Sequence, residues 1–165
     1  VGGYASGELA VSRKTWDSFS WPYTYNRSNS LNGIQDILTA LAWARKTWPG
    51  SRLALAGLSR CGLTAAFAGA VSGAADLSLV DLDGKDPVYG RELLDLLPVG
   101  SLKRVGDFRT ATLLLARKPL VLLNAGGSLD RNWFETKTAA LGLGANLRFA
   151  TATEGLWLPE LMKGL

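Results

Sequence analysis

Histidine is absent from all 165 residues of this chain. Its absence removes the commonest general base, the commonest ligand of transition metals and the usual switch near neutral pH. A complete triad of serine, histidine and acid is therefore excluded within the chain. Any serine nucleophile here would need its base from outside residues 1–165.

Cysteine and long apolar runs are also scarce. Cys61 is the single cysteine, which excludes an internal disulfide and a multi-cysteine zinc site, and we expect no metal and no other cofactor. No apolar run reaches the roughly 18 residues of a membrane-spanning helix, so we expect no membrane span. The opening residues contain neither an initiator Met nor the regions of a signal peptide, so we expect an excised or processed piece.

The charge is mildly basic and dispersed. The net charge of +4 arises from 18 Lys and Arg, which are spread along the chain and not interleaved with aromatic residues. A solvated basic surface is the usual explanation of this pattern, and we expect no nucleic-acid partner.

What is present favours a single α/β domain or half-domain over residues 1–165, with enough apolar residues for a core. An aromatic-rich segment over 1–29, with aromatic residues from Trp16 to Tyr25, predicts a loop that leads into this domain. A helical pattern begins near Ser30, and Pro49-Gly50 ends it after Trp48.

Four short apolar runs predict buried strands over Leu53–Ala56, Leu77–Leu82, Pro119–Asn124 and Asn146–Ala152. Between and after them, helical patterns occupy the stretch from Gly62, residues 91–97, the stretch around Phe108, residues 133–141 and residues 156–165. Short strands that alternate with helices predict a mostly parallel sheet covered on both faces, a three-layer α/β/α architecture. A sheet of about four strands has an open edge, which favours pairing with another protein chain or a second copy.

The stretch Leu53–Gly69 contains the candidate nucleophile. Its G-L-S-R-C-G at 57–62 is close to G-x-S-x-G, in which a serine lies on a tight turn between a strand and a helix. Ser59 occupies the serine position, and Cys61 replaces the last glycine, with Gly62 one place later. The alternative is that Ser59 only caps the helix. We expect Cys61 to pack against the helix as a small apolar group.

Carboxylates follow two of the predicted strands. Asp81 and Asp83 lie at the end of the second strand, and Asp130 lies beyond the third. Ligands of open parallel sheets bind at the carboxyl ends of the strands. Asp83-Gly84 is equally typical of a plain turn.

The order of these features resembles the C-terminal half of the α/β-hydrolase superfamily. G-L-S-R-C-G, the strand ending in Asp and P-L-V-L-L-N-A-G-G-S-L-D at 119–130 are similar to its acetyl xylan esterase-like and dienelactone hydrolase-like bacterial members. So are W-P-Y-T-Y-N-R-S at 21–28, with the helix after it, and L-P-V-G-S-L-K-R-V-G-D at 97–107.

The resemblance implies a carboxylic-ester hydrolase with Ser59 as the nucleophile and Asp130 as the acid. Asp81 and Asp83 are the alternative acids, and the backbone N–H of Arg60 forms half of the oxyanion hole. It also implies an ester or carbohydrate ligand, and it leans towards an exported or periplasmic protein.

The family's histidine follows its last strand, where this chain reads T-E-G-L-W at 153–157. Glu154 is a poor substitute because a carboxylate with an ordinary pKa is a weak base at neutral pH. We therefore expect this chain to be inactive alone. The alternative is a non-catalytic, hydrolase-like structural or interaction subunit. A Rossmann-type nucleotide binder is disfavoured because G-x-G-x-x-G is missing.

Overall fold

Four parallel strands form one sheet in the order β1-β2-β3-β4. The computed structural model of the chain describes residues 29–88, 93, 97 and 106–151. Within them, the strands are β1 (Ala54–Gly57), β2 (Leu77–Asp81), β3 (Leu120–Leu123) and β4 (Leu147–Ala150). The predicted parallel α/β sheet of about four strands is confirmed.

Helices precede β1 and connect the strands. They are α1 (Asn29–Thr47), α2 (Gly62–Ser72), α3 (Phe108–Leu115) and α4 (Arg131–Ala140), with single 3-10 turns at Ser59–Cys61 and Gly144–Asn146. The aromatic segment before Asn29, the predicted helix over 156–165 and most of that over 91–97 lie outside the described residues.

One face of the sheet carries the main core. Alternate strand residues pack in one cluster with side chains of α2, α3 and α4. Its members include Val80, Leu120 and Leu122 of the strands and Phe67, Phe108 and Phe134 of the helices. These three helices therefore cover the same face. This is the result expected of right-handed crossovers between strands that are neighbours in sequence and in space.

The opposite face carries a second, smaller cluster of Leu79, Val121 and Leu123. Side chains alternate along a strand, so these residues lie on the other side of the sheet from Val80 and Leu122. All three are almost fully buried. Apolar residues therefore occupy both faces of β2 and β3.

An ionic cluster fixes α1 to the amino edge of the sheet. The Asp76 carboxylate accepts a hydrogen bond from the Leu53 N–H at 2.8 Å and lies 2.5 Å from Arg45 Nη2 of α1 and 3.5 Å from Lys118 Nζ. The Leu53 N–H, followed by the Arg45 guanidinium, lowers the pKa of Asp76 from 3.8 to about 2. Asp76 thus joins α1, the residue before β1 and the segment between α3 and β3 through one ionised carboxylate.

Candidate functional site

Ser59 lies on the tight turn that joins β1 to α2. Its φ is +48°, in the left-handed region that residues other than glycine rarely adopt. The side chain is exposed. The strand, tight turn and helix predicted for this stretch are therefore present, and the serine stands at the turn with a strained backbone.

Glycine is required on both sides of this turn. A Cβ on Gly57 would lie 2.4 Å from the Ala65 Cβ, and a Cβ on Gly62 would lie 1.8 Å from the carbonyl oxygen of Asp81. Both distances are far below a permissible contact. The start of α2 therefore passes directly against β1 and β2, and only glycine permits that approach.

The structure excludes one alternative for this turn and corrects one expectation. Ser59 is not an N-cap residue, because Leu58 precedes the 3-10 turn and Cys61 precedes α2. Cys61 is exposed, whereas we expected it to pack against the helix. Cys61 is the last residue of the 3-10 turn, and burial begins at the next residue, Gly62, so the thiol remains in solvent.

The carboxylate of Asp81 connects the ends of three strands. Its Oδ2 accepts a hydrogen bond from the Ser59 N–H at 3.0 Å. Its Oδ1 accepts from the Asp83 N–H and from Asn124 Nδ2, both at 2.9 Å. Asp83 and Asn124, like Ser59, have positive φ, at +53° and +49°. One carboxylate thus contacts three left-handed residues at the carboxyl ends of β1, β2 and β3.

The surroundings of Asp81 favour its ionised form. Partial burial raises the pKa, but the hydrogen bonds from the Asp83 and Ser59 N–H groups and from Asn124, with the charge of Lys85, lower it by more. The net pKa lies below the usual aspartate value. The group is therefore a carboxylate at neutral pH and acts here only as a hydrogen-bond acceptor.

Asp83 and Asp130 occupy different places at the same edge. The exposed Asp83 carboxylate lies 2.9 Å from Lys85 Nζ. Asp130 is exposed and caps α4, where its Oδ1 accepts from the Trp133 N–H at 3.0 Å. Because the Gly84 N–H donates to the Asn124 carbonyl at 2.8 Å, the loops after β2 and β3 are in contact.

A small cavity brings the predicted residues together. It has a volume of about 20 Å³ and is lined by Ser59, Arg60, Leu63, Asp81, Leu82, Asp83, Lys85 and Pro87. That volume holds about one water molecule. Ser59, Arg60 and both alternative acids therefore share one site, whereas Asp130 does not line it.

Arg60, whose N–H is the predicted half of an oxyanion hole, belongs to the 3-10 turn and lines this cavity. Lys85 and Asn124 belong to the site but are not predicted from the sequence. The sequence signal that could have identified Asn124 is its position, because it directly follows β3 just as Asp83 closely follows β2. Glu154 lies outside the described residues.

Two further findings concern the described part of the chain. It contains no group of three or more His, Cys, Asp or Glu side chains arranged to hold a metal ion. None of its helices combines the length and apolar character needed to cross a bilayer.

Comparison with protein-family models, curated proteins and solved structures found no match for this chain.

Proposed function

We propose that this chain is the nucleophile-bearing part of an α/β-hydrolase-like serine esterase, and that it lacks activity alone. The observation that carries the proposal is the left-handed backbone of the exposed Ser59 between β1 and α2. This conformation presents a side chain at the carboxyl edge of a parallel sheet, where a substrate can reach it. The near-complete burial of Leu79, Val121 and Leu123 on the second face of the sheet supports the three-layer α/β/α arrangement of such a fold.

The chemistry follows from the groups at this edge. Ser59 Oγ attacks an ester carbonyl, such as that of an acylated carbohydrate, and the Arg60 N–H donates to the oxyanion that develops. The tetrahedral intermediate collapses as its ester C–O bond breaks, and the alcohol leaves with the proton taken from Ser59. Water then hydrolyses the acyl-enzyme to the free carboxylic acid and restores the Ser59 hydroxyl. A serine hydroxyl needs a base to accept its proton, and that base comes from outside residues 1–165. Asp130 orients it, with Asp83 and Asp81 as the alternatives.

The first test measures hydrolysis of an aryl acetate by the isolated chain. We expect negligible turnover and no difference between the wild type and Ser59→Ala. Turnover that Ser59→Ala abolishes would show that the chain is complete as an enzyme.

The second test supplies the missing base. Free imidazole is small enough to reach an exposed serine, so we expect it to produce acetylation of Ser59 and ester hydrolysis above the rate with imidazole alone. Ser59→Ala should lose this increment, and Ser51→Ala, which changes another exposed serine before β1, should retain it. Equal rates in all three proteins would contradict the assignment of the nucleophile.

A second candidate function is that of a non-catalytic subunit that binds through the edge of β1. The Leu53 carbonyl accepts from N–H groups of the chain entering β2, so Leu53 and Leu55 face β2, and Ala54 and Ala56 direct their N–H and C=O groups outward. Ala54 and Ala56 are exposed. No charge or proline protects Ala54–Gly57 against pairing with another strand.

Ala56→Pro tests this candidate because it removes an outward N–H while sparing the hydrogen bonds to β2. If the edge binds a second copy or another chain, the native mass should exceed that of one chain, and the variant should lose its partner. Ala56→Ser, which keeps the outward N–H at the same exposed position, is the matched control. A wild type that is monomeric and free of co-purifying protein would contradict this function.

A further inference from the structure

We infer that Asp81 is a positioning residue: its carboxylate holds Ser59 in the left-handed turn by joining the ends of β1, β2 and β3. The inference rests on the proposed function only in taking Ser59 as the nucleophile.

The backbone of Ser59 needs support from its surroundings. A non-glycine residue at positive φ carries strain, which persists only where neighbouring groups hold the conformation. The Ser59 N–H donates to Asp81 Oδ2 at 3.0 Å. This bond ties the turn to the end of β2, so it resists rotation of the peptide that sets the direction of the Ser59 side chain.

The position of Asp81 in the sheet explains how one side chain reaches all three strand ends. It is the last residue of β2, and β2 lies between β1 and β3. Ser59 follows β1 on one side, and Asn124 follows β3 on the other. A residue at the end of either neighbouring strand would have a strand between itself and the far partner.

The chemistry of the contacts requires a carboxylate. Two backbone N–H groups and one amide NH2 converge on its two oxygens. An asparagine offers one acceptor oxygen and places its own NH2 against at least one of these donors. Asp81→Asn therefore keeps the size of the side chain and removes the acceptor pattern.

These contacts also separate the roles of the three candidate acids. Oδ1 of Asp81 already accepts two hydrogen bonds, which fills its two lone pairs, and Oδ2 supports the Ser59 backbone. Asp83 and Asp130, whose carboxylates have fewer contacts at this edge, are therefore better placed than Asp81 to orient an incoming base, since Asp81 has one acceptor site left on Oδ2.

The test is an NMR titration of backbone amides in the intact wild-type chain. An N–H that donates to a carboxylate changes its chemical shift when that carboxylate is protonated. We expect the Ser59 and Asp83 amide signals to move together with one midpoint, which lies below that of an ordinary aspartate. Charged groups around Asp81 are Arg60, Asp83 and Lys85, so the matched control is Asp83→Asn, in which the common titration should persist.

Two variants extend the test. Asp81→Asn should abolish the common titration and reduce the imidazole-dependent acetylation of Ser59 at least tenfold. Asp76→Asn removes a carboxylate at the opposite edge and should leave both readouts unchanged. If neither the wild type nor any variant is acetylated, the proposed function fails. If the Ser59 and Asp83 amides of the wild type still titrate together, the positioning role of Asp81 stands. If the two wild-type amides titrate separately or not at all, the inference is overturned. That result comes from the wild type alone, so it does not depend on whether any variant folds.

Discussion

Gly62→Ala is the sharpest perturbation of the candidate site that leaves every polar group in place. Gly62 begins α2 with φ −55° and ψ −55°, a conformation that alanine adopts without strain. The added methyl group would meet the Asp81 carbonyl oxygen at 1.8 Å and its carbonyl carbon at 2.9 Å. Both atoms belong to the backbone of β2, so no side chain can rotate away.

The size of the effect follows from these distances. A carbon and a carbonyl oxygen approach to about 3.3 Å at closest, so the start of α2 would have to move from β2 by roughly 1.5 Å. Overpacking that forces the backbone to shift costs about 1–3 kcal/mol or more. Since helix propensity alone favours alanine by about 1 kcal/mol, and the clash is at the severe end of that range, we expect a net loss of about 2 kcal/mol. That loss lowers the midpoint of thermal unfolding by roughly 4–8 °C in a domain of this size.

Urea unfolding monitored by circular dichroism measures this loss. The matched control is Gly33→Ala in α1, where the new methyl group would lie 3.4 Å from Thr64 Cγ2 at the end of a side chain. We expect this control to be neutral or stabilised by up to about 1 kcal/mol. A Gly62→Ala protein as stable as Gly33→Ala would refute the close approach of α2 to β2, and with it the geometry of the Ser59 turn.

Three other predictions concern carboxylates. The pKa of Asp76 is lowered to about 2 from 3.8, which corresponds to at most roughly 2.5 kcal/mol in the free energy of unfolding. Because this side chain is 31% exposed, solvent screening reduces the contribution to about 1 kcal/mol. A carboxyl group whose pKa is lower in the folded than in the unfolded protein stabilises the fold at pH values above its unfolded pKa. The stability advantage of the wild type over Asp76→Asn should therefore be full above about pH 4 and disappear as the pH falls towards 2. An advantage that is constant with pH would contradict this prediction. Asp107 accepts from the Arg109 and Thr110 N–H groups at the start of α3, so Asp107→Ala should lose about 1 kcal/mol in urea unfolding. Asp130→Ala should lose about as much at α4, whereas Asp130→Asn retains a capping oxygen and should lose little; equal losses would argue against the cap.

Most of the sheet was predictable from local pattern. The runs around Leu79 and Leu122 are short, apolar and bounded by Gly, Pro or Asp, which is typical of strands buried on both faces. Helix ends followed the same chemistry, since Pro49-Gly50 comes just after α1, which ends at Thr47. These elements depend on residues close in sequence, so no tertiary information was needed.

The contacts of the site were not predictable in the same way. Asp81 was one of three candidate acids, and its bonds to Ser59 and Asn124 depend on the register of three strands. The exposure of Cys61 depends on its place in the 3-10 turn that precedes α2. Sequence pattern reports which face a residue occupies over several turns, and a single irregular turn between elements leaves no periodic signal.

The left-handed conformation accounts for the residue type at two of the three non-glycine positions at the carboxyl edge that adopt it, and not at the third. Asparagine and aspartate adopt this conformation comparatively easily because their short polar groups bond to the local backbone, so turn chemistry accounts for Asn124 and Asp83. Serine has no such preference, and glycine would take the turn at position 59 without strain. The turn therefore does not explain the hydroxyl of Ser59. A role for that hydroxyl in chemistry does explain it, and this is why the proposal of a nucleophile rests on this residue and not on the acids around it.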